Sequence, residues 1–142
     1  MNALYTAEAT AWGGRNGRAA SSDGNLDVML VTPKELGGPG GEGTNPEQLF
    51  AAGYAGCFHS ALLLVARGKK LDASDSAVTA RVALGDNGKG GFGIAVTLHA
   101  EIPGVDQKTA EELVEATEKV CPYSNATRGQ VELQLQVTTG DE

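Results

Sequence analysis

The stretch Asn45-Pro46-Glu47-Gln48-Leu49-Phe50-Ala51-Ala52-Gly53-Tyr54-Ala55-Gly56-Cys57-Phe58 decides how this 142-residue chain must fold. Asn45 is a good helix N-cap, Pro46 suits the first helical position, and Gln48 sits where a capping box wants it. After Glu47 nothing charged follows until Arg67, and Gly68 offers a stop. A helix of about 22 residues would run about 33 Å. Its residues are apolar or small on every side, which predicts burial all round rather than a place on a surface. Cys57 puts a thiol in the middle of that helix. Gly53, Gly56, Ser60 and Ala61, within about one turn of it, leave open space near the sulfur. Cys57 is therefore either buried filler or a nucleophile.

Working outward, length and composition narrow the classes. A chain of 142 residues is one domain by the usual prior, 1–142, with enough sequence to bury a real core. A net charge of −7 argues against nucleic acid and against anionic membrane surfaces as partners. The start, Met1-Asn2-Ala3-Leu4-Tyr5, has no basic region followed by an apolar run, so no secretory signal is expected. The central stretch is rich in Gly, Ser and Ala and contains His59, which predicts no membrane-spanning segment. A cytoplasmic protein is expected. In that reducing compartment two cysteines make a structural disulfide a poor reading.

Alternation predicts strands over residues 4–12, 26–31, 77–84, 92–98 and 131–137. Asp86-Asn87-Gly88-Lys89-Gly90-Gly91 is a turn that should make 77–84 and 92–98 an antiparallel hairpin. The glycine-rich segment 37–43 reads as a mobile loop and lacks the Gly-Lys-Ser/Thr that cradles phosphate. Asp106 should cap a second helix that Pro122 stops, with Ala110, Leu113, Val114, Thr117 and Val120 inward and Glu111, Glu112, Glu115 and Glu118 outward. The order predicts an α+β fold, an antiparallel sheet packed on a long central helix and a second helix. One sheet covers only one side of a helix that is apolar all round. A partner subunit is the simplest remedy, so a homodimer with the central helix at its heart is expected.

Cys57 alone argues for filler, since mid-helix burial in apolar surroundings raises a thiol's pKa. A nucleophile there needs a cation brought from elsewhere in the chain. Cys121, at the end of the second helix before Pro122, is by itself an ordinary inward residue. Arg15 and Glu47 have ordinary readings too, as a loop charge and a first-turn acid. Together they supply what Cys57 lacks, because a guanidinium keeps its charge and a carboxylate can fix it bidentately. His59 lies about 200° round the helix from Cys57, so the two cannot ligate one metal from a shared face. Cys121 and His99 have no recognisable metal-site spacing, and no metal is expected.

Five segments together resemble a known family. They are Gly13-Gly14-Arg15-Asn16-Gly17-Arg18, Thr32-Pro33-Lys34-Glu35-Leu36-Gly37-Gly38, the central stretch, Gly90-Gly91-Phe92-Gly93, and Val120-Cys121-Pro122-Tyr123-Ser124-Asn125-Ala126-Thr127-Arg128-Gly129. In this order they resemble the organic hydroperoxide resistance (Ohr) proteins of the OsmC/Ohr family, bacterial thiol peroxidases, over essentially the whole chain. Gly56 stands where Ala is more usual. The resemblance implies an interwoven α+β homodimer with two active sites at its interface, Cys57 as peroxidatic and Cys121 as resolving cysteine. It implies Arg15 against the peroxidatic sulfur, held by Glu47. It also implies reduction of organic hydroperoxides to alcohols, with no bound cofactor, and a disulfide re-reduced by dihydrolipoamide of a lipoylated protein.

In that chemistry a free thiol is only about 3% thiolate at neutral pH, and lowering its pKa by about two units gains roughly thirtyfold. The larger contribution expected is Arg15 stabilising the departing alkoxide in a dry pocket. Phe50, Tyr54, Phe58 and Phe92 are the expected pocket residues, favouring apolar peroxides. Glu47 and Cys57 would be about 15 Å apart along a continuous helix. The expected site is therefore shared between subunits, and a break near Gly53 is the alternative. An OsmC-branch peroxidase of broader preference and a non-enzymatic two-cysteine redox sensor are the competing functions.

Overall fold

The computed structural model describes residues 1–140, which fall into two compact units, Met1–Leu49 and a second that starts at Phe50. In the first, β1 (Ala9–Trp12), β2 (Arg18–Ser21) and β3 (Asp27–Met29) form an antiparallel sheet in that order. Both expected strands are shorter than the alternation suggested. Leu30 instead makes a parallel bridge to Thr44. Strand β2 was not anticipated, because Arg18-Ala19-Ala20-Ser21 carries almost no hydrophobic signal. Its Arg18 forks onto Asp27 at 2.8 and 2.7 Å across the strand pair and lies over the Trp12 ring. Leu30 is the one buried residue of this unit, while Trp12 and Met29 stay more than half exposed.

Helix α1 (Pro46–Gly68) starts at the end of the first unit and from Phe50 onward belongs to the second. Asn45 caps it as expected, its Oδ1 accepting the Gln48 N–H at 2.8 Å. The Gln48 side chain does not close a capping box and instead takes a bond from Thr44 Oγ1. The helix passes Gly53 unbroken, which removes the expected alternative of a break there.

The second unit continues with the hairpin β4 (Ala77–Asp86) and β5 (Phe92–Glu101), antiparallel as predicted, then α2 (Gln107–Val120), α3 (Pro122–Thr127) and β6 (Glu132–Thr138). Asp106 caps α2 through the Thr109 N–H at 2.7 Å. Pro122 does stop α2, but it also starts α3, since a missing N–H costs nothing at a first helical position. The α+β class holds, with one correction to the pairing: β6 runs parallel to β5, from Ala95↔Glu132 to Glu101↔Thr138. The helical connection through α2 and α3 returns the chain so that it re-enters in β5's direction, which a hairpin cannot do.

Tyr54, Phe58, Ala61, Leu62 and Ala66 of α1 share one core with Val96, Leu98 and Ala100 of β5, Ile102 just after it, Ala110, Leu113 and Val114 of α2, and Cys121. The expectation that α1 is buried all round is not met in the single chain. Its opposite stripe, Ala52, Gly56, Ser60 and Leu64, is exposed, with Leu64 at 56%. Val120, expected inward, is likewise exposed at the end of α2. By length and composition alone α1 is long and apolar enough to cross a membrane, contrary to the sequence expectation. Its Tyr54, Phe58 and Leu62, however, pack into protein, as in a core helix.

Candidate active site

In the first unit a tight turn presents Arg15. Gly13 takes φ +77°, a left-handed conformation that suits glycine, and opens the 3₁₀ turn Gly14–Asn16. A Cβ on Gly17 would stand 1.7 Å from the Trp12 carbonyl oxygen, so only glycine fits where the turn closes. Asn16 Oδ1 then accepts the Thr32 N–H at 3.1 Å and fastens the turn to the neighbouring segment. The Arg15 guanidinium meets Glu47 in the fork-to-fork manner expected, Nη1–Oε1 at 2.7 Å and Nη2–Oε2 at 3.0 Å. Arg15 beside it holds the Glu47 carboxyl below the usual glutamate range, and Glu47 raises the arginine in turn. Both side chains remain partly exposed, at 35% and 20%.

In the second unit Cys57 sits mid-α1 and Cys121 at the junction of α2 and α3. The two are free thiols with their Sγ atoms 3.7 Å apart. Cys121 is fully buried and Cys57 partly so. Burial pushes the Cys57 thiol up, the Tyr123 backbone N–H opposes it, and the neighbouring Cys121 thiol adds to the rise. These surroundings therefore do the opposite of the lowering expected for a reactive cysteine.

Beside the sulfurs lies a group of three rings. Phe50 meets Tyr54 edge to face at 6.0 Å between centroids, and Tyr123 packs on both at 6.3 and 5.6 Å. Tyr123 also fills the space over Gly53, where an added Cβ would come within 3.1 Å of its hydroxyl. That corrects the expectation of open space at Gly53; Gly56 does face open space. Of the expected pocket residues, Phe50 and Tyr54 belong to this group. Phe58 does not, because one residue from Cys57 is about 100° round the helix and points it into the core, fully buried. Phe92 stands 79% exposed where β5 leaves the hairpin turn. Tyr123 was missed as a ring of the site; its place next to Cys121-Pro122 was the available signal.

The histidines are engaged elsewhere, His59 with Ser76 and His99 with Thr138, both at 3.0 Å. Among the described residues no group of His, Cys, Asp and Glu gathers as metal ligands do.

Two adjacent free thiols in the second unit of an α+β chain, and an arginine–glutamate fork in the first, define a two-cysteine thiol protein. Its relatives say which kind. Residues 38–136 match the family model described as OsmC-like protein. The chain is 54% identical over 133 residues to the organic hydroperoxide resistance protein of Xanthomonas axonopodis pv. citri, covering 93% of each chain. It superposes on the crystal structure of an organic hydroperoxide resistance protein from Legionella pneumophila with a TM-score of 0.93 at 51% identity, over 97% of this chain and 100% of that one. The corresponding protein from Elizabethkingia anophelis gives 0.94 at 50% identity, over 99% and 100%. The chain belongs to the OsmC/Ohr family.

Proposed function

We propose that this protein is a thiol-dependent peroxidase that detoxifies organic hydroperoxides by reducing them to alcohols. The observation that carries the reading is the pair of free sulfurs 3.7 Å apart, one partly exposed and one fully buried. The names of its relatives support the same substrate class.

The Cys57 thiolate attacks the terminal oxygen of ROOH. The O–O bond breaks, the hydroxyl oxygen stays on sulfur as the Cys57 sulfenic acid, and the alkoxide leaves and takes up the proton that Cys57 released on ionising, giving ROH. The Cys121 sulfur then attacks the Cys57 sulfur; an S–S bond forms, the S–O bond breaks, and water departs with the Cys121 proton. A dithiol must return two electrons to the disulfide, and dihydrolipoamide on a lipoylated protein is the reductant we assign. The cycle uses no bound cofactor or metal. Arg15 is the cation assigned to the thiolate and to the developing alkoxide, and Glu47 fixes its geometry.

The unit assigned is a homodimer. Support comes from the uncovered stripe of α1, with Leu64 at 56% exposure, and from Trp12 and Met29 exposed in the first unit. The protein is read as cytoplasmic, where two reduced cysteines can cycle.

The experiment is consumption of cumene or tert-butyl hydroperoxide with dihydrolipoamide as reductant. Many turnovers per subunit are expected. Oxidation of the cysteine pair without turnover would instead make the protein a redox sensor. Equal turnover of hydrogen peroxide would favour an OsmC-branch peroxidase of broader preference.

A further inference from the structure

Below the two sulfurs runs a second contact between the same two elements. Tyr54 is fully buried, and a phenol so placed needs a partner for its hydroxyl. It finds two in α3: Ser124 Oγ at 2.8 Å, itself fully buried, and Thr127 Oγ1 at 3.1 Å. Tyr54 precedes Cys57 by three residues, and Ser124 follows Cys121 by three. The hydroxyl contact therefore lies about one helical turn from the sulfur contact on both chain segments.

Besides this contact, helix α3 is held by the Tyr123 ring against Phe50 and Tyr54 and by Arg128, which bonds Asn125 and Glu118, and it is short. It has six residues, and its N-cap, Cys121, makes no side-chain capping bond. Isolated helices of that length are far from self-sustaining. Yet α3 sets two features of the site, the position of the Cys121 sulfur at its start and the direction of the Tyr123 N–H that acts on Cys57. A disulfide needs the sulfurs at about 2.05 Å, so closing from 3.7 Å asks for a shift of about 1.7 Å. A loosely held α3 would spread Cys121 over positions from which that shift is no longer available.

We propose that Tyr54 and Ser124 are positioning residues for the resolving step, their hydroxyls seating α3 so that Cys121 stays within reach of oxidised Cys57. The inference rests on the reading of Cys57 and Cys121 as a peroxide-oxidised, disulfide-forming pair. Ser124 is fully buried, so its hydroxyl is not expected to act on the peroxide in the first oxidation. The step the two hydroxyls govern is the attack of the Cys121 sulfur on the Cys57 sulfenic acid, with loss of water.

The test is a single-turnover experiment on the full chain with cumene hydroperoxide, comparing wild type, Tyr54→Phe and Ser124→Ala. Loss of peroxide follows the first step. Acid quench and thiol alkylation follow the disulfide, and dimedone traps the sulfenic acid between the two. In Ser124→Ala peroxide loss should stay within about twofold of wild type while disulfide formation slows about tenfold, the scale of losing one or two neutral hydrogen bonds; in Tyr54→Phe disulfide formation should slow about tenfold relative to that variant's own peroxide loss. Sulfenic acid should accumulate, and irreversible sulfinic acid should appear at about tenfold lower peroxide. The double variant should resolve no more slowly than the slower single one, because the two hydroxyls share one bond.

Resolution at the wild-type rate in both variants overturns the proposal. So does equal slowing of both steps, which marks general loosening, or full additivity in the double variant. Thr127→Val, at a half-buried position, keeps the question decidable if the deeper variants do not fold; it should slow resolution two- to threefold, and an unchanged rate counts against the proposal. A wild-type chain that forms no Cys57–Cys121 disulfide would sink the peroxidase reading itself, a failure visible before any variant is made.

Discussion

Cys57 and Cys121, one in the middle of a long helix and the other between two shorter ones, hold their sulfurs 3.7 Å apart without a bond. That separation is close to sulfur–sulfur van der Waals contact and about 1.7 Å beyond a disulfide. One equivalent of organic hydroperoxide should therefore produce a disulfide within one chain, seen as a loss of two mass units and one cross-linked peptide pair. A covalent dimer as the main product on a non-reducing gel would contradict it.

The two cysteines should fail differently. Cys57→Ser is expected to abolish peroxide reduction. Cys121→Ser should allow one oxidation per subunit and then stall as the sulfenic acid, passing to the sulfinic stage under excess peroxide. Peroxide consumption and intact mass check both. Near-normal turnover by Cys57→Ser would show that the roles are misassigned.

What could be read in the sequence was governed by local rules or by charge. Asn45 and Asp106 cap the helices where cap chemistry placed them. The 77–84 and 92–98 runs pair across their glycine turn, and Arg15 finds Glu47 because a fork needs a fork. Less legible were features that depend on context. Strand β2 has too little apolar content to announce itself. Pro122 is equally a stop and a start, which hid α3, and only the helical crossover makes β6 parallel. Helix phase hid the place of Phe58, which is next to Cys57 in sequence but about 100° round the helix from it, buried in the core with Leu62.

Substrate preference should follow the aromatic group. Phe50 and Tyr123 are the two rings of the trio that are not fully buried. Phe50→Ala and Tyr123→Ala are each expected to lower kcat/KM for cumene hydroperoxide about tenfold, the scale of one apolar contact, and to change that for hydrogen peroxide much less. Equal losses on both peroxides would mean that the rings support the fold rather than read the substrate.

The Arg15–Glu47 fork makes a pH-dependent contribution to stability. Glu47 has a folded pKa below its unfolded value, because Arg15 bonds its ionised form. Its stabilisation is thus fully present above the unfolded pKa of about 4.3 and is lost as pH falls through the lower, folded value. Partial exposure of both side chains limits the effect to roughly 1 kcal/mol. Urea melts of wild type and Glu47→Gln should differ by a constant amount from pH 6 to 8 and converge below about pH 4. A difference that persists undiminished at the acid end would assign it to packing.

The last prediction concerns where the Arg15–Glu47 fork acts. Its work in the proposed mechanism is to bring a cation to a thiol that its own surroundings push toward the neutral form. Helix α1 carries Glu47 in its first turn and Cys57 near its middle, and it runs unbroken through Gly53. The break that would have favoured service within one chain is therefore absent. We expect the fork of one protomer to serve Cys57 of its partner, since two central helices packed about a two-fold axis can bring the start of one beside the middle of the other. Mixing a Glu47→Ala subunit with a Cys57→Ser subunit tests it, each being nearly inactive alone. The heterodimer would hold one site with both wild-type groups, Cys57 from the first chain and Glu47 from the second. Recovery of about half the activity of a wild-type dimer is expected, because one of two sites is restored. A purified heterodimer as inactive as its parents would return Glu47 to its own chain.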